Sequence, residues 1–100
     1  MKIDIQESDE ITAFLIGRLD TKASVECASS FERLSEYAEK TITLDCSQLE
    51  YISSSGLRLF LALAKKSNAV GSHIKVTHPK EVVKDVFKLT GFYKLLDIEE

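Results

Sequence analysis

The sequence predicts a single α/β domain with a mostly parallel sheet, an N-terminal antiparallel hairpin and helices packed against it. Three observations carry that expectation. The first segments alternate apolar and polar residues as strands do, and later segments switch to helical spacing. Strand-like and helix-like stretches then follow one another to the C-terminus, the pattern of parallel strands joined by crossover helices. Finally, 100 residues of which 44% are hydrophobic, with four glycines and one proline, suffice for one core and argue against a linker or disordered tract.

Each element has a local reason. Lys2 to Glu7 alternates, with Ile3 and Ile5 on one face. Ser8-Asp9-Glu10 is a polar turn, and Ile11 to Leu19, with Phe14, Leu15 and Ile16, is a second strand that closes a hairpin on the first. Asp20 or Thr21 can cap the following helix, whose core stripe is Cys27, Phe31, Leu34 and Ala38. Thr41 to Asp45 reads as a short buried strand followed by a loop. A helix from about Ser55 to Asn68 directs Leu57, Phe60, Leu61 and Ala64 to the core. Leu59 and Leu63 lie beside that stripe, as core or as a partner-facing patch. Gly71 turns the chain into a strand at His73 to Thr77. Pro79 is expected at the first position of the next helix with His78 as its cap, Val82, Val83, Val86 and Phe87 as its buried face, and Gly91 as its stop. Lys94 to Ile98 forms a final strand or extended tail.

The bulk chemistry excludes several classes. The net charge is −3 and Lys65-Lys66 is the sole adjacent basic pair, which fits the last turn of a helix and not a nucleic-acid surface. Cys27 and Cys46 fall in a helix and at a strand end, as separate buried thiols. His73 and His78 stand apart, so no metal site is expected, and no cofactor motif is present. The alternating, acid-containing N-terminus is unlike a signal peptide, and the apolar run Leu59 to Ala64 is far short of the roughly 18 residues a membrane span requires. A soluble, cytoplasmic protein is expected, with no need for an oligomer.

The chemistry-bearing segment is Leu44-Asp45-Cys46-Ser47-Gln48-Leu49-Glu50-Tyr51-Ile52-Ser53-Ser54-Ser55-Gly56-Leu57. Three serines and a glycine open an apolar helix, where free N–H groups and the positive end of a helix dipole surround small hydroxyls. Such a junction suits a phosphate, held or covalently attached; the plainer reading is that the serines cap the helix. A hydrolase elbow is not supported, because Gly-x-Ser-x-Gly is absent and nothing places a histidine beside the serines. Catalysis is not expected.

In order along the chain, Gly17-Arg18-Leu19-Asp20, Asp45-x-Ser47-x-Leu49-x-x-Ile52, Ser54-Ser55-Gly56-Leu57 and Phe87-x-x-Thr90-Gly91-Phe92-x-x-Leu95 resemble the motifs of the STAS domain, the fold of bacterial anti-sigma factor antagonists. The resemblance spans nearly the whole length and implies a binding protein. Its unphosphorylated form would bind an anti-sigma factor with serine kinase activity and so release a sigma factor. Phosphorylation of Ser54 would end binding, and a serine phosphatase would reset the cycle. Ser53 stands where the family pattern has aspartate, which leaves Ser53 and Ser55 as alternative acceptors. Partner-binding residues on this reading are Asp20, Ser53, Ser54, Ser55, Gly56 and Arg58. Gly56 either packs closely or leaves room for a partner's backbone, and Asp45 ties down its own loop. The same family implies an alternative, a constitutive partner subunit of a lipid or anion transport complex at the membrane, or of a stress-sensing assembly.

Overall fold

The hairpin expected at the N-terminus is present: β1 (Lys2–Glu7) pairs antiparallel with β2 (Ile11–Leu19), Ile3 opposite Leu15 and Ile5 opposite Ala13. The computed structural model describes residues 1–99. After β2 come α1 (Thr21–Ser35), β3 (Ile42–Ile52), α2 (Ser54–Ala69), β4 (Ile74–Thr77), α3 (Glu81–Thr90), a 3-10 turn (Phe92–Lys94) and β5 (Leu96–Glu99). The strands lie in sequence order in one five-stranded sheet, and every pair after the first is parallel. It is the mixed, mostly parallel sheet that the sequence predicts.

Strand order decides where the helices go. Each crossover steps one place in the same direction, and right-handed crossovers taken in one direction put all helices on one face. Burial along the strands agrees: Ile11, Ala13, Leu15, Ile42, Leu44, Ile74 and Val76 are fully buried. Their alternating neighbours Thr12, Phe14, Ile16, Thr43, Asp45, Lys75 and Thr77 are only half-buried. The domain therefore has two layers, with one sheet face covered and one open. A row of rings stitches the helices together, with centroids 5.6 Å apart for Phe31 and Phe60 and 5.8 Å for Phe60 and Phe87. Phe92 extends the row, stacked on Phe87 at 6.3 Å. All three helices thus share one core with the sheet.

Several boundaries differ from the sequence expectation. β3 does not stop at Asp45 but runs on to Ile52, against the upper half of β2. Ser47, Gln48 and Glu50 look like loop residues, yet they are the exposed positions of a bulged strand whose Leu49 and Ile52 are buried. Asp45 Oδ1 accepts from both the backbone N–H and the hydroxyl of Ser47, at 3.0 and 2.7 Å, and holds the first irregularity. Gly17, with φ of 107°, supplies the second between Gly17 and Arg18.

Pro79 is not the first residue of α3. The helix starts at Glu81 with Lys80 as its extended N-cap, His78 takes φ of 54°, and Pro79 is buried. A residue before proline is disfavoured in the right-handed helical region, and here His78 turns left-handed instead. Val82 is 49% exposed because Val83 and Phe87 alone occupy the buried stripe of α3, with Val86 at its edge. On α2, Leu63 is buried and Leu61 half-buried, so the core stripe runs Leu57, Phe60, Leu63, Ala64 and Ser67, with Leu59 packed at its margin. The final strand starts later than expected, after the 3-10 turn that begins at Phe92.

Candidate functional site

The serine junction sits where β2 and β3 end side by side. Leu19 and Ile52 are paired in register at the last step of the ladder. The Ser53 N–H then donates to the Leu19 carbonyl at 2.9 Å, extending the ladder into the two loops. One residue further on each strand is a helix cap. Asp20 Oδ1 accepts from the Ala23 N–H at 2.8 Å and caps α1; Ser53 Oγ accepts from the Gly56 N–H at 3.1 Å and caps α2. Two helix N-termini therefore point their free N–H groups and dipole ends at one edge of the molecule.

The three serines are physically different. Ser53 is 8% exposed, and its oxygen is committed to the α2 backbone. Ser54 is the first residue of α2 and exposed, while Ser55 is half-buried. Serine and aspartate are about equal as helix caps. Ser53 thus supplies the function an aspartate would have, with no added charge. Gly56 is buried, and a Cβ there would lie 2.7 Å from Leu19 Cγ, 2.8 Å from Leu19 Cδ2 and 3.1 Å from Ile52 Cγ1. Of its two readings, the geometry supports close packing: α2 can approach the β2–β3 tip only where no side chain intervenes. Arg58 is exposed one turn into α2.

The sequence expectation brought Asp20, Ser53, Ser54, Ser55, Gly56 and Arg58 to one place, and the first five surround the two capped helix starts. Asp45 lies eight residues before the Ser53 cap and acts on its own strand through Ser47. Sequence reasoning missed Leu19, the residue that ties the two caps together. It also missed Arg18 and Tyr51, whose guanidinium and ring meet at 4.5 Å on the open face beneath the junction. No local signal reveals that pair, because two register irregularities decide which residues face each other.

The remaining polar chemistry is structural. Cys46 is buried on the strand leading to the junction; burial, and secondarily the charge of Asp45, pushes its thiol up to about 12. Cys27 is raised as well, first by burial, so neither thiol is an activated nucleophile. Among the described residues no cluster of histidine, cysteine and carboxylate groups could hold a metal ion. No helix among them is long and apolar enough to cross a membrane.

A family model described as the STAS domain matches residues 2–100. The chain belongs to the STAS family. This STAS domain is 27% identical, over 98% of its length and 85% of the relative's, to BtrV of Bordetella bronchiseptica, a protein named as a candidate anti-sigma factor antagonist. An anti-sigma factor antagonist from Mycobacterium paratuberculosis has the same fold, with a TM-score of 0.86 at 15% identity over 98% of this chain and 84% of that one. The Bacillus cell fate determinant SpoIIAA, solved in its phosphorylated form, superposes with a TM-score of 0.73 at 19% identity over 97% and 90% of the two chains. At such identities the structural matches establish the shared STAS fold.

Proposed function

We propose that this STAS domain is a cytoplasmic anti-sigma factor antagonist switched by phosphorylation of Ser54. Unphosphorylated, it binds an anti-sigma factor that is also a serine kinase, and the bound sigma factor is released. Phosphorylated, it lets go, and a serine phosphatase restores it. The observation that carries this reading is the contrast within the serine triplet: Ser54 is exposed at a helix start while Ser53 is buried in the cap. Support also comes from the names of its relatives, BtrV and SpoIIAA, and from the phosphorylated state in which the latter was solved.

The physics suits a switch. Phosphate adds between one and two negative charges and three acceptor oxygens. At the first turn of α2 that is locally favourable by roughly 0.3–1 kcal/mol, so the domain stays folded. At a protein interface the same dianion must be desolvated against a surface built for a neutral hydroxyl, a cost of several kcal/mol. Asp20 flanks the surface that the partner covers, Gly56 seats α2 beneath that surface by close packing on Leu19, and Arg58 lies at its margin.

Phosphopeptide mass spectrometry on the protein from its native cells, growing and starved, tests the reading. A condition-dependent phosphate on Ser54 is expected. Phosphate on Ser53 or Ser55 would overturn the site, and an unmodified chain under every condition would overturn the switch in favour of a constitutive partner subunit.

A further inference from the structure

Ser54 and Arg58 are the first and fifth residues of α2, and both are exposed. Residues four apart share a helix face, with Cβ atoms about 5–6 Å from each other. Helical side chains lean toward the N-terminus, so the arm of Arg58 can reach back over the turn that Ser54 opens. The pair also has the favourable polarity, anion on the N-terminal side and cation on the C-terminal side.

Of the charged groups around the two helix starts, Lys22 on α1 is exposed and makes no ion pair among the described residues, while the other two are engaged. Arg18, near the end of β2, rests over the Tyr51 ring, and the Asp20 carboxylate holds the α1 backbone. Arg58 has no ion pair and no ring contact among the described residues. A guanidinium with five donors and no partner thus lies within one helical turn of the exposed hydroxyl.

We propose that Arg58 clamps the phosphate of phosphorylated Ser54 within the same helix. The inference rests on the reading that Ser54 is the modified serine, and it adds a regulatory consequence. Unmodified, the domain offers its partner a neutral hydroxyl and a free cation. Modified, it offers a dianion and has drawn that cation back across the turn. One covalent event then removes two features from the binding surface.

The test installs phosphoserine at position 54 by site-specific incorporation in the full chain, with Arg58 native or carrying Arg58→Gln or Arg58→Lys. Phosphorus NMR titration reads the second ionisation of the phosphate in each. Arg58→Gln is expected to raise that pKa by about 0.2–0.4 unit, the size of a one-turn ion pair. Arg58→Lys should retain part of the shift, and 1 M salt should shrink the difference. The Arg58 Nε–H resonance of the native chain should move with the same titration. Arg18, Asp20 and Lys22, the charged groups around the two helix starts, are common to all three chains and cancel in the comparison. Identical phosphate titrations with an unmoved Arg58 resonance would overturn the clamp. Because the phosphate is installed without a kinase, this result is independent of whether Ser54 is modified in cells.

Discussion

The N–H of Ser53 donates to the carbonyl of Leu19 at 2.9 Å, and this bond sets the cap of α2 beside the cap of α1. It is a backbone bond, so it depends on the register of β2 and β3 and on no particular side chain at either position. Through it, a capped helix start from each of two crossovers shares one edge, and Ser54 is the exposed first residue of the second helix.

The contact between Gly56 and Leu19 makes the first prediction. In an ordinary helix position, replacing glycine with alanine stabilises by up to about 1 kcal/mol. At Gly56 the new methyl would meet Leu19 at 2.7 Å, and Leu19 is fully buried with nowhere to retreat. Gly56→Ala should therefore destabilise the domain by about 1–3 kcal/mol in urea unfolding. Combined with Leu19→Ala, it should cost less than the sum of the two single changes, because the truncation opens the space.

The caps lead to a second. Asp20→Ala and Ser53→Ala should each lower stability by about 1 kcal/mol, since each frees a backbone N–H at a helix start. Ser53→Asp should unfold at nearly the same urea concentration as the native chain, the two residues being equivalent caps. A large loss for Ser53→Asp would show that the buried hydroxyl has a role beyond capping.

Charge at Ser54 separates folding from binding. The first turn of α2 contains no acidic residue. Ser54→Asp should raise stability by about 0.3–1 kcal/mol at low ionic strength, with the gain fading in 1 M salt. The same variant should bind an anti-sigma partner more weakly than the native chain in titration calorimetry. Loss of binding together with loss of stability would point to damage and not to a switch.

Cys46 sets an alkaline limit. Its thiol has an ordinary value of 9.0 and is pushed up to about 12 in the fold, chiefly by burial. The neutral thiol is the form that folding favours, so its contribution is complete below pH 9.0 and is lost as pH climbs from there toward 12. Over that window each pH unit costs about 1.4 kcal/mol from this group. Urea midpoints of the native chain should fall through the window more steeply than those of Cys46→Val, which has no thiol to ionise. Parallel curves would show that Cys46 does not govern the alkaline loss.

Much of this was legible in the sequence because it is local. The Asp20 cap lies three residues from the N–H it satisfies, and the stripe Cys27, Phe31, Leu34 follows helical spacing. Gly91 stops α3 in the left-handed conformation that its place after Phe87 and Thr90 suggests. The upper half of β3 looks like a loop in the sequence because Ser47, Gln48 and Glu50 are polar, and only pairing with β2 makes them strand residues. Val82 is exposed against expectation for a related reason: the apolar spacing of α3 is wider than the face its neighbours cover.

The sequence by itself determined the order of elements, the Asp20 cap, the apolar stripe of α1 and the serine triplet at a helix start, all of which follow from residues within a turn or two of one another. The tertiary structure decided which sheet face is covered, that Gly56 is filled by Leu19, and that Ser53 is enclosed while Ser54 is exposed. Those outcomes depend on strand register and on packing between segments far apart in the chain. Neighbouring serines carry the same chemistry until a fold gives one of them a buried backbone partner and leaves the other to solvent.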